Sequence, residues 1–181
     1  MTMPTYPADV LERAAKIRLI GFDVDGTLTD GRLLYGTSDR DAKSFYVQDG
    51  MGLTLLRHAG IELALVTARQ SPVVAARGSE LKIDHVHIGE RSKLACMQRI
   101  AAGMGIGMDE VAFMGDDLPD LATLRGVGLA IAPANAHHWV LPAAHWVTPR
   151  DGGAGAARDA CDLLLHAQGK VEAILAHGEH P

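Results

Sequence analysis

Cysteine occurs only twice in the 181 residues, at Cys96 and Cys161. That excludes a disulfide framework. Both lie in apolar helical patterns and are expected as buried, reduced thiols. Aromatic residues make up only 4%, and the two tryptophans, Trp139 and Trp146, are expected as packing anchors rather than substrate platforms. Positive charge is also in deficit: the net charge is −5, which disfavours non-specific attraction to nucleic acid or an anionic membrane. No apolar run approaches a membrane span. The opening "MTMPTYPADVLERAAKIR" lacks the basic region and apolar core of a signal peptide. A cytoplasmic protein is the expectation, with neither nucleic acid nor membrane as partner.

Hydrophobic residues are plentiful, at 48%, enough for a sizeable core in a single domain spanning 1–181. Four short apolar runs read as buried strands: "IRLIGFD" 17–23, "IELALVT" 61–67, "VAFMG" 111–115 and "GLAIA" 128–132. They show little alternation, as strands covered on both faces should. "HVHI" 85–88 is a weaker fifth and "HWVT" 145–148 a candidate edge. Helical patterns lie between them, over 52–60, 71–82, 91–105 and 117–126. The second of these opens on Ser71-Pro72, a cap followed by proline at the first helical position. The alternation predicts an α/β fold, a three-layer, doubly wound parallel sheet. Residues 31–50 break the rhythm and read as a β-hairpin inserted after the first strand. Residues 150–181 read as a glycine-rich loop, one helix, a break at Gly169 and a frayed tail.

In such a sheet, ligands bind beyond the carboxyl ends of the strands. The strand 17–23 delivers Asp23, Asp25, Gly26 and Thr27 there. The strand 61–67 delivers Thr67 and Arg69, and 111–115 delivers Asp116 and Asp117, with Asp120 one helical turn on. Lys93 lies near the start of the helix after 85–88. Clustered carboxylates repel one another in a partly desolvated site. A hard divalent cation with oxygen ligands, Mg²⁺, is the natural counter-charge. Asp23 and Asp116 are the candidate side-chain ligands, and Asp25 can add a main-chain carbonyl. A carboxylate on a rigid strand end can attack phosphorus, and a second one two residues on can serve as acid and then base. Gly26 permits a tight turn with N–H groups facing phosphoryl oxygens. Thr67 can donate to such an oxygen, and Lys93 can neutralise charge.

The segments "DVDGTLTD", "VTAR", "SKL" and "GDDLPD" resemble, in order, the four motifs of the haloacid dehalogenase superfamily of phosphatases. The resemblance makes Asp23 the nucleophile, Asp25 the acid/base, Thr67 and Lys93 phosphate-site residues, and Asp23, Asp25 and Asp116 the Mg²⁺ site. Thr67 follows Asp23 by 44 positions and Lys93 follows Thr67 by 26, which leaves no room for a cap domain. A signalling receiver also combines carboxylates, Thr and Lys, but in a different order. A catalytically silent oligomerisation homologue would have no need of all five residues.

The hairpin region and C-terminus are similar to the 3-deoxy-D-manno-octulosonate 8-phosphate phosphatases, a capless subgroup. That resemblance implies a phosphorylated sugar acid as substrate, a role in lipopolysaccharide synthesis, and a homotetramer in which a neighbour helps to cover each site. It also implies substrate contacts from Asp25, Lys93, the loop Tyr46, Val47, Gln48, Asp49 and Gly50, and Arg69 and Arg77. The family's loop commonly reads "VRDG" where this chain has "VQDG". Gln48 lacks the charge an arginine would offer a carboxylate, so a nine-carbon, sialic-acid-type 9-phosphate is the alternative substrate.

Overall fold

The computed structural model describes residues 5–34 and 42–177. Six strands form one sheet: β1 Leu19–Phe22, β2 Glu62–Thr67, β3 His85–Ile88, β4 Val111–Met114, β5 Leu129–Ala132 and β6 Trp146–Val147. Their order is β3-β2-β1-β4-β5-β6, and every pairing is parallel. All six apolar runs are therefore strands, including the two weaker ones. The chain steps from β1 outward to β2 and β3, then crosses back to β4 and continues the other way. The direction of winding thus reverses between β1 and β4, whose registers pair Leu19 with Val111 and Phe22 with Met114. A crevice opens at the carboxyl ends of strands at such a reversal.

The helices are α1 Ala8–Ala14, α2 Val47–His58, α3 Pro72–Glu80, α4 Lys93–Met104, α5 Leu121–Gly126, α6 Ala156–Ala167 and α7 Val171–His177. Two apolar cores lie on opposite faces of the sheet. Ile20 and Phe22 of β1 point into one with Leu53 and Leu56 of α2 and Leu163 and Leu164 of α6. Leu19 points into the other with Cys96 and Met97 of α4 and Leu124 of α5. Period-two alternation along a strand buried on both faces produces this division. Both cysteines are buried, as expected.

Three expectations need correction. Val47–Gly50 are not an arm of a hairpin but the first turn of α2, so that helix begins five residues before the expected 52. Residues 35–41, the middle of the expected hairpin, lie outside the described residues, and the flanking 31–34 and 42–46 carry no strand. The C-terminal segment after Gly169 is α7 as far as His177. Trp146 packs edge-on against Tyr6, but Trp139 is 60% exposed and anchors no core. Among the described residues no helix is long and apolar enough to cross a membrane.

Candidate active site

The main chain of β1 carries its ladder one residue past Phe22: Asp23 N–H donates to the Met114 carbonyl at 2.9 Å. This extension fixes Asp23 at the crevice, beside the start of the loop that follows β4. Asp23 is 7% exposed. Across from it stand Asp116, two residues beyond β4, and Asp120, at the end of the short 3-10 turn Leu118–Asp120. Asp23, Asp116 and Asp120 each offer a carboxylate oxygen within 4.8 Å of the others.

Lys93, the first residue of α4, reaches into this trio. Its ammonium donates to Asp23 Oδ1 and to Asp120 Oδ1, both at 2.6 Å. Only 4% of Lys93 is exposed. Asp120 uses its other oxygen to accept from the Asp116 and Asp117 N–H groups at 3.1 and 3.3 Å. Asp116 Oδ1 accepts from the Thr27 hydroxyl at 3.1 Å. Among the described residues, these bonds leave Asp23 and Asp116 with one uncommitted oxygen each. Asp117 caps the 3-10 turn through Leu118 N–H, at 2.7 Å.

The electrostatics follow from counting charge. Three carboxylates face one ammonium. Burial, then the charge of Asp120, push Asp23 up to about 7 against the pull of Lys93. Burial, then Asp120 again, push Asp116 up to about 6, opposed by the Thr27 hydrogen bond. Burial by itself would lower Lys93, yet Asp23 and Asp120 hold it above its ordinary value. Lys93 therefore stays charged, and the unbalanced negative charge falls on Asp23 and Asp116. A divalent cation is the counter-ion that would balance this arrangement. All-oxygen donors with two free carboxylate oxygens suit Mg²⁺, which takes one or two carboxylates and keeps several waters.

Gly26 has φ +97, and a Cβ there would lie 2.1 Å from Asp116 Oδ2. Both the left-handed turn and the close approach of Asp116 require glycine.

The Asp25 side chain stands apart from the trio. It is ion-paired with Lys43, whose side chain is 2% exposed, and Arg69 Nε lies 3.7 Å away. So of the expected metal residues, Asp23 and Asp116 meet as side chains, whereas Asp25, expected to add its main-chain carbonyl, turns its side chain to Lys43 and Arg69; Asp120 is the third carboxylate of the trio. Thr67 is buried, and its hydroxyl oxygen accepts from Arg69 N–H at 3.2 Å. Its hydroxyl hydrogen is left to donate.

A haloacid dehalogenase-like hydrolase profile matches residues 79–158. The 3-deoxy-D-manno-octulosonate 8-phosphate phosphatase of Yersinia pestis is 41% identical over 164 residues, covering 91% of this chain and 88% of that protein. The chain belongs to the 3-deoxy-D-manno-octulosonate 8-phosphate phosphatase family. A structure of the Moraxella catarrhalis phosphatase with magnesium, phosphate and a KDO molecule superposes at TM-score 0.93, with 37% identity, 96% of this chain and 100% of that one covered. A hypothetical protein of Xanthomonas campestris superposes at TM-score 0.94, with 49% identity, 98% of this chain and 100% of that one covered.

Within this phosphatase family member, the residues expected to bind substrate divide. Tyr46, Val47 and Gln48 are exposed at the start of α2. Asp49 and Gly50 face inward. Asp49 is 3% exposed, and its Oδ1 accepts from Arg158 N–H, in the first turn of α6, at 2.8 Å. Gly155, which precedes α6, offers no side-chain cap, so Asp49 caps α6 from another helix. Gly50 lies against the Arg77 guanidinium, which stacks over Phe45 and pairs with Glu80 at 2.8 Å. Lys43 is a site residue that sequence patterns did not mark, and Arg150, which donates to Gln48, lies outside the acidic cluster. No periodicity marks the segment around Lys43, and Arg150 lies in a glycine-rich loop far away in sequence.

Proposed function

We propose that this chain is a Mg²⁺-dependent phosphomonoesterase of the cytoplasm that converts 3-deoxy-D-manno-octulosonate 8-phosphate to 3-deoxy-D-manno-octulosonate and phosphate. The observation that carries this reading is the position of Asp23: a buried carboxylate on a strand end, pinned by Lys93 and facing Asp116. The relatives named for this reaction support the choice of substrate.

In the proposed reaction, a carboxylate oxygen of Asp23 attacks phosphorus. The O–P bond forms as the bond from phosphorus to the sugar oxygen breaks, and Asp25 gives its proton to that leaving oxygen. Asp25 then takes a proton from water as the water attacks phosphorus, and Asp23 leaves as a carboxylate. Lys43 and Arg69 hold the Asp25 carboxyl in place for both transfers. Lys93 keeps Asp23 oriented and shares the phosphoryl charge, and Thr67 donates to one phosphoryl oxygen. Mg²⁺, held by Asp23, Asp116 and the main-chain carbonyl of Asp25, would supply positive charge to the phosphoryl group. Uncatalysed phosphomonoester hydrolysis calls for accelerations up to about 10²¹, and positioning with charge stabilisation provides most of that.

Arg69, Arg77 and the start of α2 would receive the sugar acid, since guanidinium groups pair well with carboxylates. A homotetramer is part of the same reading. Leu33, Leu34, Val47 and Met51 leave apolar surface exposed on and beside the segment 31–50, suited to cover by a neighbouring copy. An active, monodisperse monomer in light scattering would overturn the tetramer.

A phosphate-release screen with Mg²⁺ tests the substrate. It compares the octulosonate 8-phosphate with nine-carbon 9-phosphates and phosphoglycolate. The highest kcat/KM is expected for the octulosonate; a faster nine-carbon substrate would replace it.

A further inference from the structure

The loop between β6 and α6 touches both halves of the site. Gly153 N–H donates to the Thr27 carbonyl at 3.1 Å, and Gly152 N–H donates to Asn135 Oδ1 at 2.9 Å. A Cβ on Gly152 would fall 1.8 Å from the Gly26 carbonyl oxygen, so the loop rests directly on the catalytic turn. Arg150 is the third residue of this loop. Its carbonyl accepts from Ala134 N–H at 3.1 Å and from the Thr148 hydroxyl at 2.7 Å. Its guanidinium turns the other way. Nε donates to both Asp159 oxygens at 3.0 and 3.1 Å, and Nη1 donates to Gln48 Oε1 at 3.1 Å. Gln48 is the second residue of α2.

We infer that Arg150 is a positioning residue for substrate recognition: through Gln48 it fixes the first turn of α2 at a set distance from the Asp23–Thr27 turn. The inference rests on the proposed sugar-acid substrate, whose phosphate and remote end would lie on those two elements. Of the loop's side chains, Arg150 spans the gap by donating to Asp159 and to Gln48 from one planar fork, which lysine cannot do. Gln48 is then the acceptor of this tie through its Oε1. The neutral residue at position 48 thus has a guanidinium beside it, supplied from a distant part of the chain.

A structural role alone would give a different signature. The Arg150 side chain is 35% exposed, and ion pairs of that kind add little stability. The packing of α2 on α6 is held by buried apolar residues and by Asp49. Loss of Arg150 should therefore leave the fold in place and loosen only the spacing. A substrate bridging the two elements depends on that spacing; a small phosphate ester does not.

The test is steady-state kinetics of the full-length protein with Mg²⁺, on octulosonate 8-phosphate and on p-nitrophenyl phosphate, with melting temperatures alongside. Arg150→Ala should raise KM for the sugar acid about tenfold, the equivalent of one charge-assisted hydrogen bond. Its kcat should stay within about twofold, its action on p-nitrophenyl phosphate should not change, and its melting temperature should move by less than about 2 °C. Arg150→Lys should behave like Arg150→Ala. Gln48→Ala should raise the same KM, and the double variant should be no worse than Arg150→Ala. Parallel losses on both substrates, an unchanged KM, or additive single effects would each overturn the inference. The wild-type arm tests the substrate separately. If the octulosonate is not hydrolysed, the function reading fails, and the variants are compared on the phosphorylated sugar acid the wild type prefers. Activity on p-nitrophenyl phosphate but on no sugar acid overturns both.

Discussion

Lys93 donates to Asp23 Oδ1 at 2.6 Å from the first turn of a helix that begins 70 positions later in the chain. Both groups are buried, and the same ammonium holds Asp120 at 2.6 Å. One cation thus orders two of three repelling carboxylates. Lys93→Met keeps the length of the side chain and removes the charge. Activity is expected to drop on the order of a hundredfold or more, the scale of losing one charge-stabilising donor. The folded protein should also lose stability, because a buried ion pair broken from one side leaves its partners uncompensated. Adding Asp120→Asn should recover part of the melting temperature and none of the activity. Full phosphate release by Lys93→Met would remove the residue from the mechanism.

Asp49 makes a prediction about stability rather than chemistry. Its carboxylate caps α6 in place of the side chain that Gly155 lacks. Asp49→Ala should cost about 1–2 kcal/mol in denaturant unfolding, the range of a lost helix cap. Asp49→Asn keeps an acceptor and should cost less. If Asp49→Ala and wild type unfold at the same midpoint, the cap is not a stabilising contact.

The acidic trio predicts a pH dependence of stability. Asp23 and Asp116 are pushed up to about 7 and about 6 from the ordinary 3.8. The unfolded chain releases these protons near 3.8, while the folded chain without metal holds them longer. Between those values the folded state binds more protons, so the contribution of these two groups to stability is fully present below about 3.8 and is lost as pH rises toward 7. Mg²⁺ takes the place of the protons. The rise in melting temperature on adding Mg²⁺ should therefore be larger at about pH 8 than at about pH 5. An equal shift at both pH values would show that these carboxylates are not the groups the cation meets.

Much of this was legible in the sequence because strand ends are marked locally. The apolar runs placed β1 and β4, and Asp23, Asp25 and Asp116 follow them directly. The start of α2 was not legible: Tyr46 makes no side-chain cap bond, and the helix is fixed instead by Asp49 and Gln48 reaching α6 and its loop. Those are tertiary contacts across 109 and 102 positions, which no local pattern encodes. Asp120 was visible one turn past Asp116, but its service to Lys93 depends on how α4 packs. The helix α1 lacks a capping side chain at Pro7 and is held by Val10 and Ala14 in the core, so its signal too is tertiary.

The central claim is that Asp23 is the nucleophile, and Asp23→Asn tests it most directly. The amide removes one of three crowded charges, so the variant should fold and melt no lower than wild type. Its Mg²⁺-dependent phosphate release from octulosonate 8-phosphate should fall to background. A well-folded Asp23→Asn that still releases phosphate in proportion to Mg²⁺ would contradict the account.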